Sequence, residues 1–132
     1  MKKGYKQLLA EAEAEITAID VDEAATLRGR DDTVFVDLRD PRERERDGSI
    51  PGAFSCPRGM LEFWIDPESP YAKPVFQQDK RYVFFCASGW RSALATRTAQ
   101  DMGLEKVCHL KGGFGAWRAA GGEIESLPRR EG

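Results

Sequence analysis

A short and almost wholly apolar run sets the tightest limit on how this chain can fold. Residues 81–86 read Arg-Tyr-Val-Phe-Phe-Cys, and so many aromatic and β-branched residues in succession are typical of a buried strand. Residues 33–37, Thr-Val-Phe-Val-Asp, have the same character. Strands without polar alternation are usually parallel, because helices cover both of their faces. The two runs therefore predict an α/β protein.

Strand and helix patterns alternate along the rest of the chain. Further short strands are predicted at 16–20, 53–55 and 106–110, and helices at 4–14, 21–28, 41–47, 92–102 and 113–120. Residues 59–74 mix aromatic residues with prolines and acids, which predicts a short helix and a loop. This order predicts a central parallel five-stranded sheet flanked by helices on both faces.

The chain length of 132 residues fits a single domain, and no linker or internal repeat divides it. We expect an amphipathic N-terminal helix within residues 1–15, one folded domain over 16–122 and a polar C-terminal tail over 123–132. Residues 125–132 of that tail are expected to fray. The N-terminal helix could pack on its own domain or mediate a dimer, and the sequence favours neither.

Charge and cysteine content exclude several classes of function. Twenty basic and 22 acidic residues give a net charge of −2, so neither nucleic acid nor a membrane surface is an expected partner. No apolar segment is long enough for a signal peptide or a membrane span. Three widely spaced cysteines and one histidine favour neither a disulfide framework nor a metal site. We therefore expect a cytoplasmic protein without a metal or other cofactor.

The strongest chemical signal lies where the run 81–86 ends. Cys86 stands at the carboxyl end of a predicted strand, and a short turn leads from it into a helix, which is where open α/β sheets bind ligands. Backbone N–H groups of such a turn can point at the sulfur, with Gly89 supplying an unusual backbone conformation. These features favour the nucleophilic thiolate, and Arg91 adds a charge that binds oxyanions. The alternative is that Cys86 is a small buried hydrophobe.

Three segments of the sequence resemble signatures of the rhodanese family. CASGWRS at 86–92 is similar to the active-site loop, and VDLRDPRERERDGSIPGA at 36–53 to the first signature, with Ser49 where histidine is usual. LKGGFGAWRAAGG at 110–122 resembles the closing signature. PRGMLEFWIDPESPY at 57–71 also resembles a segment of one bacterial and archaeal single-domain branch. The resemblance covers residues 16–122 and implies a rhodanese-like domain.

The resemblance also implies a mechanism, in which Cys86 carries sulfur as a persulfide. Sulfur would come from a small anion such as thiosulfate and pass to a thiophilic acceptor, which is cyanide or a thiol, in two half-reactions. Arg91 would orient the incoming sulfonate. The residues expected to bind substrate are those of the loop, Ala87, Ser88, Gly89, Trp90, Arg91 and Ser92.

Asp37, Arg39 and Trp64 are expected around this loop. Asp37 and Arg39 end a strand and could brace the loop, although a structural Arg39–Glu43 pair is an equally good interpretation. Trp64, with Phe63, could form a lid over the pocket, but an aromatic core anchor is the favoured interpretation. Trp90 should border the mouth of the pocket.

The other cysteines and the histidine are assigned structural roles. Cys56 could resolve the persulfide, but filling a strand-end site is favoured because spacing alone gives no geometry. Cys108 is expected in the core. His109 is expected to be an exposed or hydrogen-bonded strand residue rather than a catalytic base.

Alternative functions stay open. A sulfur-relay protein that passes its persulfide to a protein partner would need Cys86 equally, and a non-catalytic rhodanese-like module would use the domain for binding or regulation. Phosphatase chemistry is disfavoured, because a phosphate loop needs five residues between cysteine and arginine. Here Arg91 comes one position too early, and Ser92 takes the place of that arginine.

Overall fold

Short strands alternate with helices in a computed structural model that describes residues 1–128. The strands are β1 (Ala18–Ile19), β2 (Thr33–Asp37), β3 (Phe54–Ser55), β4 (Arg81–Phe85) and β5 (Val107–Leu110). The helices are α1 (Tyr5–Glu15), α2 (Val21–Leu27), α3 (Pro41–Asp47), α4 (Leu61–Ile65), α5 (Trp90–Asp101) and α6 (Gly113–Ala119), with 3-10 turns at Arg58–Met60 and Pro74–Gln77. The strands form one five-stranded parallel sheet in the order β1-β5-β4-β2-β3, so the predicted fold class is confirmed.

The two faces of the sheet carry separate apolar clusters, because successive side chains of a strand point in opposite directions. Val83 and Phe85 of β4 belong to one cluster, which α2 and α6 cover. Tyr82 and Phe84 belong to the other, which α4 and α5 cover. Both faces are therefore buried, and this explains why the strands lack polar alternation.

The strand register brings three loops together at one edge of the sheet. Asp37 at the end of β2 lies beside Phe85 at the end of β4. Phe84 lies beside His109, one residue before the end of β5. Because all the strands run in one direction, the segments that follow β2, β4 and β5 begin side by side.

The N-terminal helix α1 packs on its own domain, against α5. Gln100 donates a hydrogen bond from Nε2 to the carbonyl of Glu15 at 3.1 Å, and Arg97 lies 3.4 Å from the Glu15 carboxylate. Ala12 is buried, whereas Tyr5 and Leu8, which are apolar residues of the same amphipathic helix, are 51% and 41% exposed. The helix is therefore docked through a narrower face than its sequence pattern predicts.

Some sequence predictions about element boundaries are wrong. Strand β1 covers Ala18–Ile19 instead of the predicted 16–20. Helix α5 begins at Trp90, two residues earlier than predicted, because Gly89 adopts a left-handed φ of 107° as its N-cap and the helix follows at once. The tail does not fray at Glu125. Ser49 and Glu125 exchange both backbone hydrogen bonds, at 2.9 and 2.8 Å, and so satisfy each other's polar groups. Residues 129–132 of the tail lie outside the described residues.

Candidate active site

The sulfur of Cys86 lies among hydrogen-bond donors at the carboxyl end of β4. The backbone N–H groups of Gly89 and Ser92 donate to Sγ at 3.2 and 3.4 Å, and Ser92 Oγ lies 3.6 Å away. Of the loop N–H groups expected to face the sulfur, these two come within hydrogen-bond distance. Donors that converge on one sulfur atom stabilise negative charge there, whether the charge is on a thiolate or on a second sulfur atom bonded to it.

The start of α6 holds the cysteine loop in this shape. Phe114 N–H donates to the carbonyl of Cys86 at 2.8 Å, and Gly115 N–H donates to that of Ala87 at 3.0 Å. Gly113 has a φ of 63°, and a Cβ there would lie only 2.5 Å from the Cys86 carbonyl oxygen. The glycine pair at 112–113 is thus the sequence signal for this close approach, which inspection of the loop alone misses.

Arg91 faces a partner that the sequence did not identify as a site residue. Its guanidinium forms two parallel hydrogen bonds with the Glu43 carboxylate, Nη1–Oε1 at 2.8 Å and Nη2–Oε2 at 3.0 Å. These bonds lower the pKa of Glu43 and raise that of Arg91, to which the nearby Cys86 also contributes. Glu43 accepts from Asp40 N–H in the capping box of α3 as well, so its position is fixed twice.

Asp37 and Arg39 form a buried network at the end of β2. Arg39 donates to Asp37 from Nε and Nη2, at 3.0 and 2.8 Å, and to the carbonyl of Gly48 at 2.7 Å. Arg44 and Ser49 donate to the same carboxylate, at 3.1 and 2.8 Å. The alternative Arg39–Glu43 pair does not form. Ser49 also resolves how the turn is held without the usual histidine, because its hydroxyl reaches Asp37.

The network supports the cysteine loop through contacts between Arg39 and two aromatic rings. The Arg39 guanidinium lies 4.3 Å from the ring centroid of Phe114 and 6.0 Å from that of Phe85. Phe85 precedes Cys86, and Phe114 binds the Cys86 carbonyl through its N–H. Asp37 and Arg39 therefore lie near the loop and contact it through neighbours rather than through the sulfur.

The two tryptophans occupy different environments. Trp64 packs edge-on against Phe54, with 5.9 Å between ring centroids, and Lys73 Nζ lies 4.8 Å from its ring. These contacts make it an anchor of the apolar cluster that α4 and α5 cover. Trp90 is 57% exposed, and its ring centroid lies 5.1 Å from that of Tyr5 in α1, with the two rings tilted by 39°.

Trp90 borders a cavity of about 360 Å³ between α1, β1 and the cysteine loop. The residues lining this cavity are Glu13, Ala18, Ser88, Gly89, Trp90, His109, Lys111 and Gly112. The cavity thus adjoins one side of the loop, and both acidic and basic side chains reach it.

The remaining cysteines are buried thiols. Burial raises the pKa of Cys56 to about 12 and that of Cys108 to about 11. All three cysteines are free, and Cys56 and Cys108 lie in the two apolar clusters. Neither environment favours a thiolate, so the structural roles predicted for these two residues fit their surroundings.

His109 lies beside the cysteine loop, although the sequence predicted only a structural role for it. It is 4% exposed, because β5 lies inside the sheet and both of its faces are covered. Its Nδ1 lies 3.0 Å from Ser92 Oγ, and burial lowers its pKa. Of the two predicted states, the hydrogen-bonded one is confirmed and the exposed one is wrong.

A parallel sheet with a cysteine at a strand end, and two backbone N–H groups directed at its sulfur, defines an α/β domain with a candidate cysteine site. The model of the rhodanese-like domain matches residues 20–120, and the chain belongs to this family. The resemblance seen in the three sequence signatures is therefore confirmed.

Three known proteins illustrate the relationship. A structure from Rhodopseudomonas palustris CGA009, described as a protein of unknown function and possible tyrosine phosphatase, is 62% identical, with a TM-score of 0.93 over 95% of this chain and 96% of that one. An uncharacterized protein of Synechocystis sp. is 34% identical over 72% of this chain and 48% of its own length. A sulfurtransferase of Allochromatium vinosum is 30% identical over 72% of this chain and 80% of its own. The chain thus spans about half of the Synechocystis relative.

Two further observations concern the part of the chain that the structure describes. Among residues 1–128, no group of three or more histidine, cysteine, aspartate or glutamate side chains is placed to hold a metal ion. No helix within the same residues combines the length and the apolar character needed to cross a membrane. The expectations about cofactors and partners stay predictions.

Proposed function

We propose that this protein is a sulfurtransferase that carries sulfane sulfur as a persulfide on Cys86. The observation that carries the proposal is the pair of N–H groups, from Gly89 and Ser92, directed at Sγ from 3.2 and 3.4 Å. The same donors suit a thiolate before the reaction and a persulfide anion after it. The A. vinosum relative, named a sulfurtransferase, supports the same activity.

The first half-reaction transfers one sulfur atom to the enzyme. The Cys86 thiolate attacks the outer sulfur of thiosulfate or a related donor, and a new S–S bond forms at Sγ. The S–S bond of thiosulfate breaks, and its electron pair leaves with sulfite. Arg91, whose position Glu43 fixes, attracts the donor's sulfonate group through the N–H bonds that point away from Glu43.

The second half-reaction returns the enzyme to its starting state. A nucleophilic acceptor, which is cyanide, a small thiol or a cysteine of a partner protein, attacks the outer sulfur of the persulfide. The bond to Cys86 breaks, and its electron pair regenerates the thiolate. Transfer to a partner protein would make the chain a sulfur relay, with Cys86 in the same role. A cytoplasmic location is part of the proposal, because the free thiols suit a reducing compartment.

Phosphatase chemistry is the second candidate, because the R. palustris structure is described as a possible tyrosine phosphatase. A tetrahedral phosphate needs a wider ring of donors than one sulfur atom does. In this loop Arg91 is the fifth residue after Cys86, and Ser92 occupies the sixth position with its N–H turned to the sulfur. The arrangement favours sulfur, and phosphate-ester hydrolysis becomes the contrasting outcome of the test.

The test is the intact mass of the reduced protein after incubation with thiosulfate and desalting. We expect a gain of one sulfur atom, about 32 Da, that cyanide removes. Cys86→Ala should gain nothing, whereas Cys56→Ala, which removes another buried cysteine, should load like the wild type. Loading by a polysulfide but not by thiosulfate would change the donor. No adduct with any donor would refute the proposal, and hydrolysis of p-nitrophenyl phosphate would then favour the phosphatase.

A further inference from the structure

A line of hydrogen-bonding groups joins Cys86 to His109 through the interior of the site. Cys86 Sγ lies 3.6 Å from Ser92 Oγ, and Ser92 Oγ lies 3.0 Å from His109 Nδ1. All three residues are buried. Bulk water therefore has little access to the Cys86 thiol. The polar side chains that connect the thiol to its surroundings along this line are Ser92 and His109.

The single hydroxyl hydrogen of Ser92 makes this line directional. Oγ has three neighbours that can accept that hydrogen, namely Cys86 Sγ, His109 Nδ1 and the Gly89 carbonyl at 3.3 Å. If Nδ1 has no hydrogen, Ser92 donates to the histidine and has none for the sulfur. If Nδ1 carries a hydrogen, it donates to Ser92, and the hydroxyl is free to donate to the sulfur. The tautomer of His109 thus decides whether the sulfur gains another donor.

We propose that His109 is a positioning residue that acts through Ser92 to release the proton of Cys86 and to stabilise the thiolate. The proposal deepens the proposed function and rests on it, because the thiolate is the form that attacks a sulfur donor. It assigns a role to a histidine that the two half-reactions do not use.

The proton transfer balances without any further reagent. The thiol proton passes to Ser92 Oγ, the hydroxyl proton passes to His109 Nδ1, and the proton on Nε2 leaves to solvent. One proton is lost from the sulfur and one is gained by water. His109 ends as the neutral Nδ1–H tautomer, and its ring lines the 360 Å³ cavity through which the proton can leave. Nδ1 is engaged by Ser92, so Nε2 is the nitrogen left for this exchange.

The surroundings favour the neutral form of His109. Burial lowers its pKa, and this outweighs the opposing charge of Glu13 on α1. Lys111, beyond the end of β5, is the other charged residue lining the cavity. The β1 side contributes a backbone contact, because the His109 N–H donates to the carbonyl of Thr17 at 3.0 Å. On the sulfur side, Arg91 adds a positive charge that Glu43 shares.

The test is the pH titration of the Cys86 thiolate by its ultraviolet absorbance, with Cys86→Ala as the blank. His109→Leu fills the site without a donor, and we expect the titration midpoint to rise by about one pH unit, a roughly tenfold loss of thiolate below the midpoint. His109→Asn places an amide nitrogen near the Nδ1 position and should return the titration midpoint most of the way to the wild-type value. Cys108→Ala, next to His109 in β5, is the matched control and should leave the midpoint unchanged.

A second variant protects the test if His109→Leu fails to fold. Ser92→Ala cuts the line at its centre and should raise the midpoint by a similar amount, whereas Ser92→Thr keeps the hydroxyl and should not. The proposal is overturned if His109→Leu titrates like the wild type, or if His109→Asn shifts as far as His109→Leu. In the latter case the ring acts by packing alone.

Thiosulfate loading separates this proposal from the proposed function. At a pH well above its midpoint, His109→Leu should still gain one sulfur atom if the sulfurtransferase proposal is right. If the wild type gains no sulfur, but the His109 and Ser92 variants show the expected shifts of the titration midpoint, the sulfurtransferase proposal is refuted and the role of His109 stands. If the wild type gains sulfur, but the variants show no shift of the midpoint, the role of His109 is refuted and the sulfurtransferase proposal stands.

Discussion

The ends of β2 and β4 lie side by side, and each presents an acidic group, the Asp37 carboxylate or the Cys86 thiol. The two groups are surrounded by different kinds of hydrogen-bond donor. The Asp37 carboxylate accepts hydrogen bonds from Arg39, Arg44 and Ser49. At the adjacent strand end, the sulfur of Cys86 faces two backbone N–H groups, and the neighbouring cation Arg91 is already bound to Glu43. One group is saturated by side-chain cations, and the other is held mainly by backbone dipoles.

This difference separates a charge with a structural role from a sulfur that we propose to be reactive. The Asp37 carboxylate is the counter-charge of the buried Arg39, so we assign it the structural role of holding the strand end. Backbone N–H groups carry only partial charges and tolerate a thiol, a thiolate or a persulfide at the same place. This tolerance agrees with our proposal that the sulfur of Cys86 changes its covalent partner while the loop keeps its shape.

The largest effect we predict is a separation of activity from stability at the β4 end. Cys86→Ser should abolish transfer of sulfur from thiosulfate to cyanide, because the hydroxyl cannot form the persulfide. The same variant keeps a hydrogen-bonding group in place and should change the free energy of unfolding by about 1 kcal/mol or less. Colorimetric detection of thiocyanate and urea titration measure the two quantities. Sulfur transfer by Cys86→Ser above the enzyme-free blank would show that Cys86 is not the residue that carries the sulfur.

Asp37→Ala should have the reverse character. Removing the carboxylate leaves the buried Arg39 unpaired, and we expect the free energy of unfolding to fall by about 3–5 kcal/mol. Urea titration gives the value. Asp47→Ala, which breaks the solvent-facing pair with Arg46 in α3, is the control and should leave the urea midpoint unchanged. An Asp37→Ala variant as stable as the wild type would show that the network is not structural.

Arg91→Gln should weaken the binding of the sulfur donor. A charge-assisted hydrogen bond is worth about 1.5–3 kcal/mol, so the KM for thiosulfate should rise roughly 10- to 100-fold while kcat changes less. Arg97→Gln, on the same helix α5 and salt-bridged to Glu15 in α1, is the matched control. Equal effects of the two variants on KM would argue against a binding role for Arg91.

Glu43→Gln should produce a smaller effect in the opposite direction. The amide keeps the capping contact of α3 but removes the charge that competes for Arg91, so the KM for thiosulfate should fall by about threefold near neutral pH. A rise in KM instead would mean that Glu43 orients Arg91 more than it competes for it.

The same variant makes a pH prediction with a definite sign. Hydrogen bonds from Arg91 lower the pKa of Glu43 below its usual 4.5 in the folded state. Its contribution to stability is therefore complete above pH 4.5 and is lost as the pH falls through the lowered folded value. Wild type and Glu43→Gln should differ in stability near neutral pH and converge in acid. A difference that grows in acid would contradict the pairing.

The sequence predicted those features that depend on local pattern. The apolar runs at 33–37 and 81–86 predicted the parallel sheet, because buried parallel strands need no polar face. The loop after Cys86 was predicted from its glycine and its place between a strand and a helix. Ser49, which departs from the family signature, still bonds to Asp37, so the turn survives the substitution.

Contacts between distant segments were not predictable in the same way. Glu43 and Arg91 are 48 positions apart, and Ser92 and His109 are 17 apart. Both pairs meet because the strand register places the ends of β2, β4 and β5 together, and no periodicity within one segment encodes that. The docking of Glu125 against Ser49 has the same origin, since its backbone groups find their partner across the fold.

The most direct test of the account maps the persulfide within one molecule. The reduced wild type is treated with thiosulfate, alkylated under denaturing conditions and digested, and each cysteine peptide is examined for one added sulfur atom. The account predicts that sulfur on the peptide with Cys86 alone, because burial holds Cys56 and Cys108 as thiols with pKa values of about 12 and about 11. Added sulfur spread over the three cysteines, or found on Cys56 or Cys108 but not on Cys86, would contradict it.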